Sequence, residues 1–187
     1  NEMYVLVIAG GYPTPRYPGS GIFEFDQAKA LQAAGCKVLF GAVDLRSIRR
    51  WRKWGFEHFY KDGIEIYSIN IPLGRVGHAV LTFFGKWGVR QLYKRIAEDH
   101  GNPDIIHAHF LGIGEMALAL KGIADSRFVM TEHSSQILNT NYLPSWVKNL
   151  APRIYRNYDK VIGVSPFLVE KMNKNYCGNI LGGCAAK

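Results

Sequence analysis

Short apolar segments alternate with segments of helical periodicity along almost the whole chain, and this alternation constrains the fold more than any other feature. Apolar runs bounded by Gly, Pro or polar residues predict strands; here they lie at residues 4–9, 37–43, 64–72, 104–110, 127–133 and 160–164. Apolar residues three and four apart predict helices at residues 22–34, 75–97, 113–120, 145–158 and 167–176. We therefore expect an α/β protein with a doubly wound, mostly parallel sheet and helices on both faces.

The length and composition fit one well-packed domain. Of the 187 residues, we expect residues 3–177 to form this domain, while residues 178–187 show no clear pattern. The cysteines (Cys36, Cys177 and Cys184) have neither metal-ligand nor disulfide spacing, which fits a reducing compartment. No basic leader precedes the first apolar run, and no apolar run is long enough to span a bilayer. The net charge of +8 indicates an anionic partner: nucleic acid, a membrane surface or a phosphorylated substrate.

Prolines and glycines fill residues 12–21, between the first predicted strand and the first predicted helix. Gly19, Ser20 and Gly21 come directly before the helix, where free backbone N–H groups can bind phosphate oxygens. The stretch matches neither the G-x-G-x-x-G pattern nor a P-loop. It therefore has two interpretations, a phosphate-binding loop and an ordinary connection rich in turn residues.

The predicted strand at residues 127–133 changes abruptly from apolar to polar side chains, ending in Glu132 and His133 and followed by Ser134. In open parallel sheets, ligands bind beyond the carboxyl ends of the strands. His133 is therefore the leading candidate for a residue of the reaction centre.

Two further histidines, His107 and His109, lie two apart on a predicted strand and so point to the same face of the sheet. Together with His133 they offer three imidazoles, as in some zinc sites, but no clear fourth ligand is present unless Glu132 supplies it. Histidines with satisfied hydrogen bonds are the alternative. We expect no metal, and a hydrogen bond from His133 to a polyhydroxy substrate.

Residues 46–61 interrupt the alternation with six basic residues, five aromatic residues and one acid. Tryptophan next to arginine suits a lipid headgroup region, where the ring lies at the boundary and the cation meets phosphate. The candidates for membrane binding are Arg49, Arg50, Trp51, Arg52, Lys53 and Trp54. A solvated loop with its tryptophans folded onto the domain is the alternative. No nucleic-acid-binding motif is present, so we expect no nucleic-acid partner.

Five short motifs occur in an order that resembles a known family. They are P-G-S-G-I-F at residues 18–23, G-C-K-V at 35–38, D-I-I-H-A-H at 104–109, T-E-H at 131–133 and D-K-V-I-G-V-S at 159–165. Together they resemble the N-terminal domain of a GT-B-fold glycosyltransferase, most similar to the retaining enzymes of family 4 (group 1). The resemblance covers nearly the whole chain and implies the Rossmann-like half of a GT-B fold.

The resemblance also implies roles for individual residues. Residues Gly19, Ser20 and Gly21 would approach the donor diphosphate, and His133 would contact the transferred sugar or the donor phosphate. The residues expected to line the acceptor site are Arg16, His109, Glu132, Ser134 and Ser165.

An enzyme of this kind would transfer a sugar from a nucleotide-sugar donor, with retention, to a saccharide or lipid-linked acceptor, without a metal or other cofactor. We expect this chain to be the acceptor-binding half, inactive without a second, nucleotide-binding domain. Members that act on lipid acceptors dock on membranes, so we expect a cytoplasmic protein, peripheral on the inner face of the membrane where the acceptor is a lipid. The alternative function is a stand-alone, non-catalytic α/β module that binds an anionic lipid or saccharide.

Overall fold

The computed structural model describes residues 2–45, 52–133 and 145–177, with the backbone alone described at Trp146 and Cys177. Its strands form one seven-stranded sheet in the order β3-β4-β2-β1-β5-β6-β7. The strands are β1 (Tyr4–Ala9), β2 (Lys37–Asp44), β3 (Gly55–Lys61), β4 (Ile64–Asn70), β5 (Ile105–His109), β6 (Arg127–Glu132) and β7 (Lys160–Gly163). All neighbouring pairs are parallel except β3 and β4. The predicted mostly parallel α/β fold is confirmed.

The edge strand β3 was not predicted. It pairs antiparallel with β4, and a two-residue turn at Asp62 and Gly63 joins the two strands. Both turn residues have positive φ, 48° and 79°, as a tight turn matched to the twist of a hairpin requires. The strand lies within the basic and aromatic segment, so its side chains gave no clean apolar pattern.

The helices cover both faces of the sheet. They are α1 (Ile22–Ala33), α2 (His78–His100), α3 (Leu111–Ala117), α4 (Ser145–Tyr155) and α5 (Pro166–Met172). A short 3-10 helix, Leu118–Leu120, extends α3, and a π-helical turn, Asn173–Cys177, follows α5. The predicted helices are all present, although α4 ends at Tyr155 rather than at residue 158. Among the described residues, no helix is both long and apolar enough to cross a bilayer.

Glycines within α2 allow it to pack closely, and the helix is continuous despite them. A β-carbon at Gly85 would collide with the side chain of Met116 on α3. A β-carbon at Gly88 would lie 3.2 Å from side-chain atoms of both Val43 and Ile71. These glycines therefore cost helix propensity but bring α2 against the sheet and against α3.

The central strand β1 is buried on both faces, as expected for a parallel sheet covered by helices. Leu6 and Ile8 belong to the larger apolar cluster, which includes the inner face of α2. Val5 and Val7 belong to the cluster on the other face, which includes Phe25 of α1. The alternation of these side chains fixes the register, because a slip of one residue would exchange the two faces.

Two aspartates bind the starts of neighbouring strands at the amino edge of the sheet. The Asp104 carboxylate accepts a hydrogen bond of 2.8 Å from the backbone N–H of Tyr4. The Asp159 carboxylate accepts one of 2.7 Å from the N–H of Phe128. Asp104 precedes β5 and bonds to β1, and Asp159 precedes β7 and bonds to β6. Each aspartate therefore links the loop before one strand to the neighbouring strand, at the edge of the sheet opposite the site.

Candidate functional site

An open cleft of about 540 Å³ lies at the carboxyl edge of the sheet, where the loops after β1 and β5 meet the start of α1. Its polar wall consists of Gly19, Ser20, Gly21, Glu24 and Asp44, and its apolar wall includes Leu45, Leu81, Phe110, Ile113 and Met116. The topology of the sheet gathers these residues from distant parts of the sequence. This placement agrees with the expected position of a ligand site in an open α/β sheet.

The glycine loop is held close to the end of β1. Gly21 has φ of 66° and lies before the first turn of α1. A β-carbon there would collide with the carbonyl oxygen of Gly11, so position 21 requires glycine for both conformation and space. Ser20 donates its backbone N–H to the carbonyl of Tyr17 at 3.1 Å, whereas no described residue accepts a hydrogen bond from the N–H of Gly19 or Gly21. The amides of the two glycines are therefore the ones free to meet an anion.

A buried ion pair supports the loop from below. Arg52 Nε lies 2.9 Å from Asp44 Oδ2, and the two side chains are only 5% and 1% exposed. The same guanidinium donates to the carbonyl of Tyr12 at 3.0 Å and lies 4.1 Å from the centroid of the Tyr12 ring. Arg52 was predicted to bind a membrane. The structure contradicts this, because the guanidinium is enclosed between β2 and the proline-rich loop.

Three histidine rings form a continuous stack at the ends of β5 and β6. The ring centroids of His107 and His109 are 4.5 Å apart, and those of His109 and His133 are 5.2 Å apart. Nδ1 of His109 lies 2.9 Å from Nε2 of His133. At the other end of the stack, Nε2 of His107 lies 2.7 Å from the hydroxyl of Thr131.

Two aromatic side chains hold His133 in place. Phe23, in the first turn of α1, stacks on it with centroids 5.6 Å apart, and Phe110 approaches to 5.0 Å. Phe110 lines the cleft and so connects it to His133, which is not itself one of the lining residues. Phe110 also has φ 66° and ψ 152°, a conformation almost restricted to glycine. Strain of this kind concentrates at functional sites.

Burial keeps the stacked rings uncharged. It lowers the pKa of His107 to about 4 and lowers the pKa of His109 further, with repulsion from neighbouring imidazoles adding to the effect. Burial also lowers the pKa of His133. Residues 2–45, 52–133 and 145–177 contain no group of three His, Cys, Asp or Glu placed to hold a metal ion.

Two residues predicted to line the acceptor site are completely buried. Glu132 is 0% exposed; it accepts a hydrogen bond of 3.1 Å from the N–H of His133 and one of 3.4 Å from the hydroxyl of Tyr155. His109 is also 0% exposed and lies behind His133. The structure contradicts both predictions of direct acceptor contact, since both side chains support His133 instead of facing the cleft.

The remaining predicted positions have mixed surroundings. Arg16 is exposed on the proline-rich loop, with its guanidinium 5.8 Å from the Tyr17 ring centroid. Ser165 is the N-cap of α5 and accepts a hydrogen bond of 3.2 Å from the N–H of Leu168. Lys53 and Trp54 are exposed, Trp54 by 61%. The positions Ser134, Arg49, Arg50 and Trp51 lie outside the described residues.

Three further residues of the site were not predicted as site residues from the sequence: Phe23, Glu24 and Phe110. Phe23 and Glu24 lie two and three residues after Gly21, so their place at the start of α1 was a usable signal. Glu24 is 5% exposed at the wall of the cleft, and burial raises the pKa of its carboxyl group. Nothing in the sequence signals the strained conformation of Phe110.

Comparison with known proteins identifies the family. The sequence model of Glycosyltransferase Family 4 matches residues 19–178, which include the glycine loop and the T-E-H motif. The chain belongs to glycosyltransferase family 4. One relative is a protein of Bacillus subtilis strain 168 named as the teichuronic acid biosynthesis glycosyltransferase TuaC. It is 28% identical over 193 residues, which cover 92% of this chain and 46% of TuaC. This family 4 chain thus spans less than half the length of the relative.

Solved structures show the same half-fold. Sucrose-phosphate synthase from Thermosynechococcus elongatus superposes with a TM-score of 0.71 at 17% identity, over 98% of this chain and 47% of the synthase. The catalytic domain of starch synthase IV from Arabidopsis thaliana, bound to ADP and acarbose, gives a TM-score of 0.61 at 16% identity, over 92% and 47%. The family 4 chain therefore has the Rossmann-like fold of one half of a GT-B glycosyltransferase.

Proposed function

We propose that this chain is the acceptor-binding half of a retaining glycosyltransferase that moves a sugar from a nucleotide-sugar donor to a saccharide or lipid-linked acceptor. The observation that carries the proposal is the stacking of Phe23 on His133 at 5.6 Å, which joins the glycine-loop end of α1 to the end of β6. We propose that this half is inactive without a second, nucleotide-binding domain.

The chemistry of transfer explains why these groups would be needed together. Breaking the bond between the sugar and the nucleoside diphosphate leaves growing negative charge on the diphosphate oxygens. The amides of Gly19 and Gly21, at the N-terminus of α1, would offset that charge, and the neutral ring of His133 would hydrogen-bond to the sugar or phosphate. We propose that these groups act without a metal ion or other cofactor.

The decisive test is the transfer activity of His133→Ala in the native full-length enzyme. Loss of one hydrogen-bonding group at a charge-developing centre typically lowers kcat by about 100-fold or more. The matched control is His58→Ala, which removes a half-exposed imidazole on β3. Radiolabelled sugar transfer would be measured for both variants. Normal activity in His133→Ala would refute the assignment of His133 to the reaction centre.

We also propose that an anionic membrane surface is a partner, and we locate the contact on α2. Val80, Phe83 and Trp87, spaced three and four residues apart on α2, are 44%, 67% and 45% exposed, and Val76, just before the helix, is 39% exposed. The cations Lys86, Arg90 and Lys94 follow the same side of the helix at intervals of four residues. Trp54 is also exposed and lies directly before β3. Because β3 begins opposite the end of β4, Trp54 lies at the carboxyl edge of the sheet. An apolar stripe flanked by cations suits a headgroup interface.

Vesicle sedimentation tests this membrane contact. We expect the double variant Phe83→Ser/Trp87→Ser to lose most of its binding to vesicles containing phosphatidylglycerol. The matched control is Tyr60→Ser/Phe167→Ser, which removes two exposed aromatic side chains, 68% and 59% exposed, that lie outside α2. Equal sedimentation of both variants and the unmodified chain would contradict the proposal. If a lipid-linked acceptor is used, the protein would work on the cytoplasmic face of the membrane.

The alternative function is a non-catalytic module that binds an anionic lipid or saccharide. The same exposed stripe on α2 favours it, because membrane binding needs no second domain. Transfer assays separate the two functions. Turnover with any nucleotide sugar supports the enzyme, whereas vesicle binding by a native full-length protein without turnover supports the module.

A further inference from the structure

The two ring nitrogens of His109 have very different surroundings. Nδ1 lies 2.9 Å from Nε2 of His133, which is hydrogen-bond distance. Nε2 of His109 is buried and has no hydrogen-bond partner among the described residues. Because each ring is neutral, each carries one proton, and the pair can be arranged in two ways.

In the first arrangement, His133 donates from Nε2 and His109 accepts at Nδ1. The proton of His109 then lies on its Nε2, where a buried N–H would have no acceptor. In the second arrangement, His109 donates from Nδ1 and its buried Nε2 is a bare nitrogen. Buried N–H groups without an acceptor are rarer in proteins than unpaired acceptor atoms, because the cost of desolvating them is not recovered. The second arrangement is therefore favoured.

We propose that His109 is a positioning residue whose Nδ1–H donates to Nε2 of His133 and thereby fixes the proton of His133 on Nδ1. His133 then meets the substrate as a hydrogen-bond donor and not as a base. The group that it contacts must be a hydrogen-bond acceptor, namely an oxygen of the sugar or of the phosphate. The tautomer follows from the structure alone, whereas its catalytic use depends on the function proposed above.

The surroundings of the pair allow the imidazole of His133 little freedom to turn over. Phe23 and Phe110 contact His133, while His107 packs against the far side of His109. Turning over the His133 ring would place a carbon next to His109 Nδ1, so that both ring nitrogens of His109 would lack a hydrogen-bond partner. The stack therefore fixes both the tautomer of His133 and the orientation of its ring.

The tautomer can be measured directly by NMR on the ¹⁵N-histidine-labelled 187-residue chain. Multiple-bond ¹H–¹⁵N correlations at pH 8 distinguish a neutral ring protonated on Nδ1 from one protonated on Nε2. His58 supplies an internal reference for the opposite pattern, because its Nε2 lies 2.7 Å from a carboxylate oxygen of Glu65, which can only accept. We expect the Nδ1–H pattern for His109 and His133. An Nε2–H pattern for His133 would overturn the proposal.

Two variants test whether His109 is the cause. His109→Phe keeps a buried ring but removes the donor, so His133 should move to the Nε2–H form that free neutral histidine prefers. His109→Asn retains an amide donor near the position of Nδ1 and should keep the Nδ1–H form. An unchanged tautomer in His109→Phe would overturn the proposal. If His109→Phe does not fold, the spectrum of the unmodified chain and that of His109→Asn still decide the matter.

Activity of the native full-length enzyme provides an independent check. We expect His109→Phe to lower kcat/KM by roughly tenfold, the value of one hydrogen bond, and His109→Asn to restore most of it. If His133 acts as a donor, kcat/KM should not fall at low pH because of protonation of His133. If it acts as a base, kcat/KM should fall there, and such a fall assigned to His133 would overturn the proposal. Failure of the proposed function would instead appear as full activity of His133→Ala, with the NMR result unaffected.

Discussion

At the scale of single residues, glycine is needed at positions 19 and 21 of the loop for different reasons. Gly21 needs its positive φ and its closeness to Gly11, whereas a β-carbon at Gly19 would meet nothing within 4 Å. Gly19 also lies at the wall of the cleft, where the donor phosphate is proposed to bind. The two positions therefore separate the structural requirement for glycine from a requirement imposed by the ligand.

We predict that Gly21→Ala lowers the free energy of unfolding by about 1–3 kcal/mol, because alanine is strained at this φ and collides with backbone. Gly19→Ala should leave stability within about 0.5 kcal/mol but raise the KM for the nucleotide sugar, since a methyl group would hold the phosphate away from the amide. Urea unfolding and donor titration measure the two effects. If Gly19→Ala keeps a normal KM, the phosphate does not approach this residue.

The buried histidines predict a specific pH dependence of stability. His107 has a pKa of about 4 in the folded protein, against about 6.5 when unfolded. The unfolded state therefore binds the proton more readily, and folding is weakened as the pH falls from about 6.5 to about 4. The loss amounts to about 3 kcal/mol at pH 4 and is absent above pH 7.5. His109 acts in the same direction.

His107→Gln tests this dependence, because glutamine can bond to Thr131 but cannot take up a proton. Urea midpoints would be compared for the variant and the unmodified chain from pH 7.5 to pH 4. The carboxylates titrate in both proteins, so the difference between the two curves reports His107. A difference that stays constant over the whole range would show that His107 does not lose its proton on folding.

At the scale of elements, the sequence predicted the parallel strands and the helices well, because apolar runs and helical periodicity are strong local signals. It failed at β3, where charged and aromatic side chains on an exposed edge hide the alternation. The Asp62-Gly63 pair is a typical hairpin signal and would have indicated the turn between β3 and β4. The helix predicted at residues 75–97 is continuous although it contains Gly85 and Gly88, because close packing at these glycines outweighs their low helix propensity.

The ion pair between Arg52 and Asp44 links three elements that the sequence separates: the proline-rich loop, β2 and the segment before β3. Removing one partner of a buried pair leaves an uncompensated charge, so Arg52→Met should lower the free energy of unfolding by about 3–5 kcal/mol. Lys53→Met, at the exposed neighbour, should change it by less than about 0.5 kcal/mol. Chemical denaturation of both variants measures this difference. Equal stability would show that Arg52 is not needed to hold the loop.

At the scale of the whole molecule, the sequence predicted where in the sheet the site lies. It did not predict which of the site residues are buried behind others. Parallel strands deliver their carboxyl ends to one edge, so His133 and the glycine loop were expected there. Whether a side chain faces the cleft depends on how deeply it is buried, and tertiary packing determines this burial. Glu132 directly precedes His133 in the chain and His109 ends the neighbouring strand β5, yet both side chains are completely buried. Only coordinates separate a residue that contacts substrate from one that supports it.

The central position of β1 has a consequence for the order of events during synthesis. β1 pairs with β2 over a separation of about thirty residues, but its other edge waits for β5, and the N–H of Tyr4 bonds to Asp104, 100 positions later. A ribosome at about 5–20 residues per second needs at least several seconds to make this distance. During that time β1 exposes an unpaired edge. We therefore expect the nascent chain to bind a chaperone that recognises extended apolar segments.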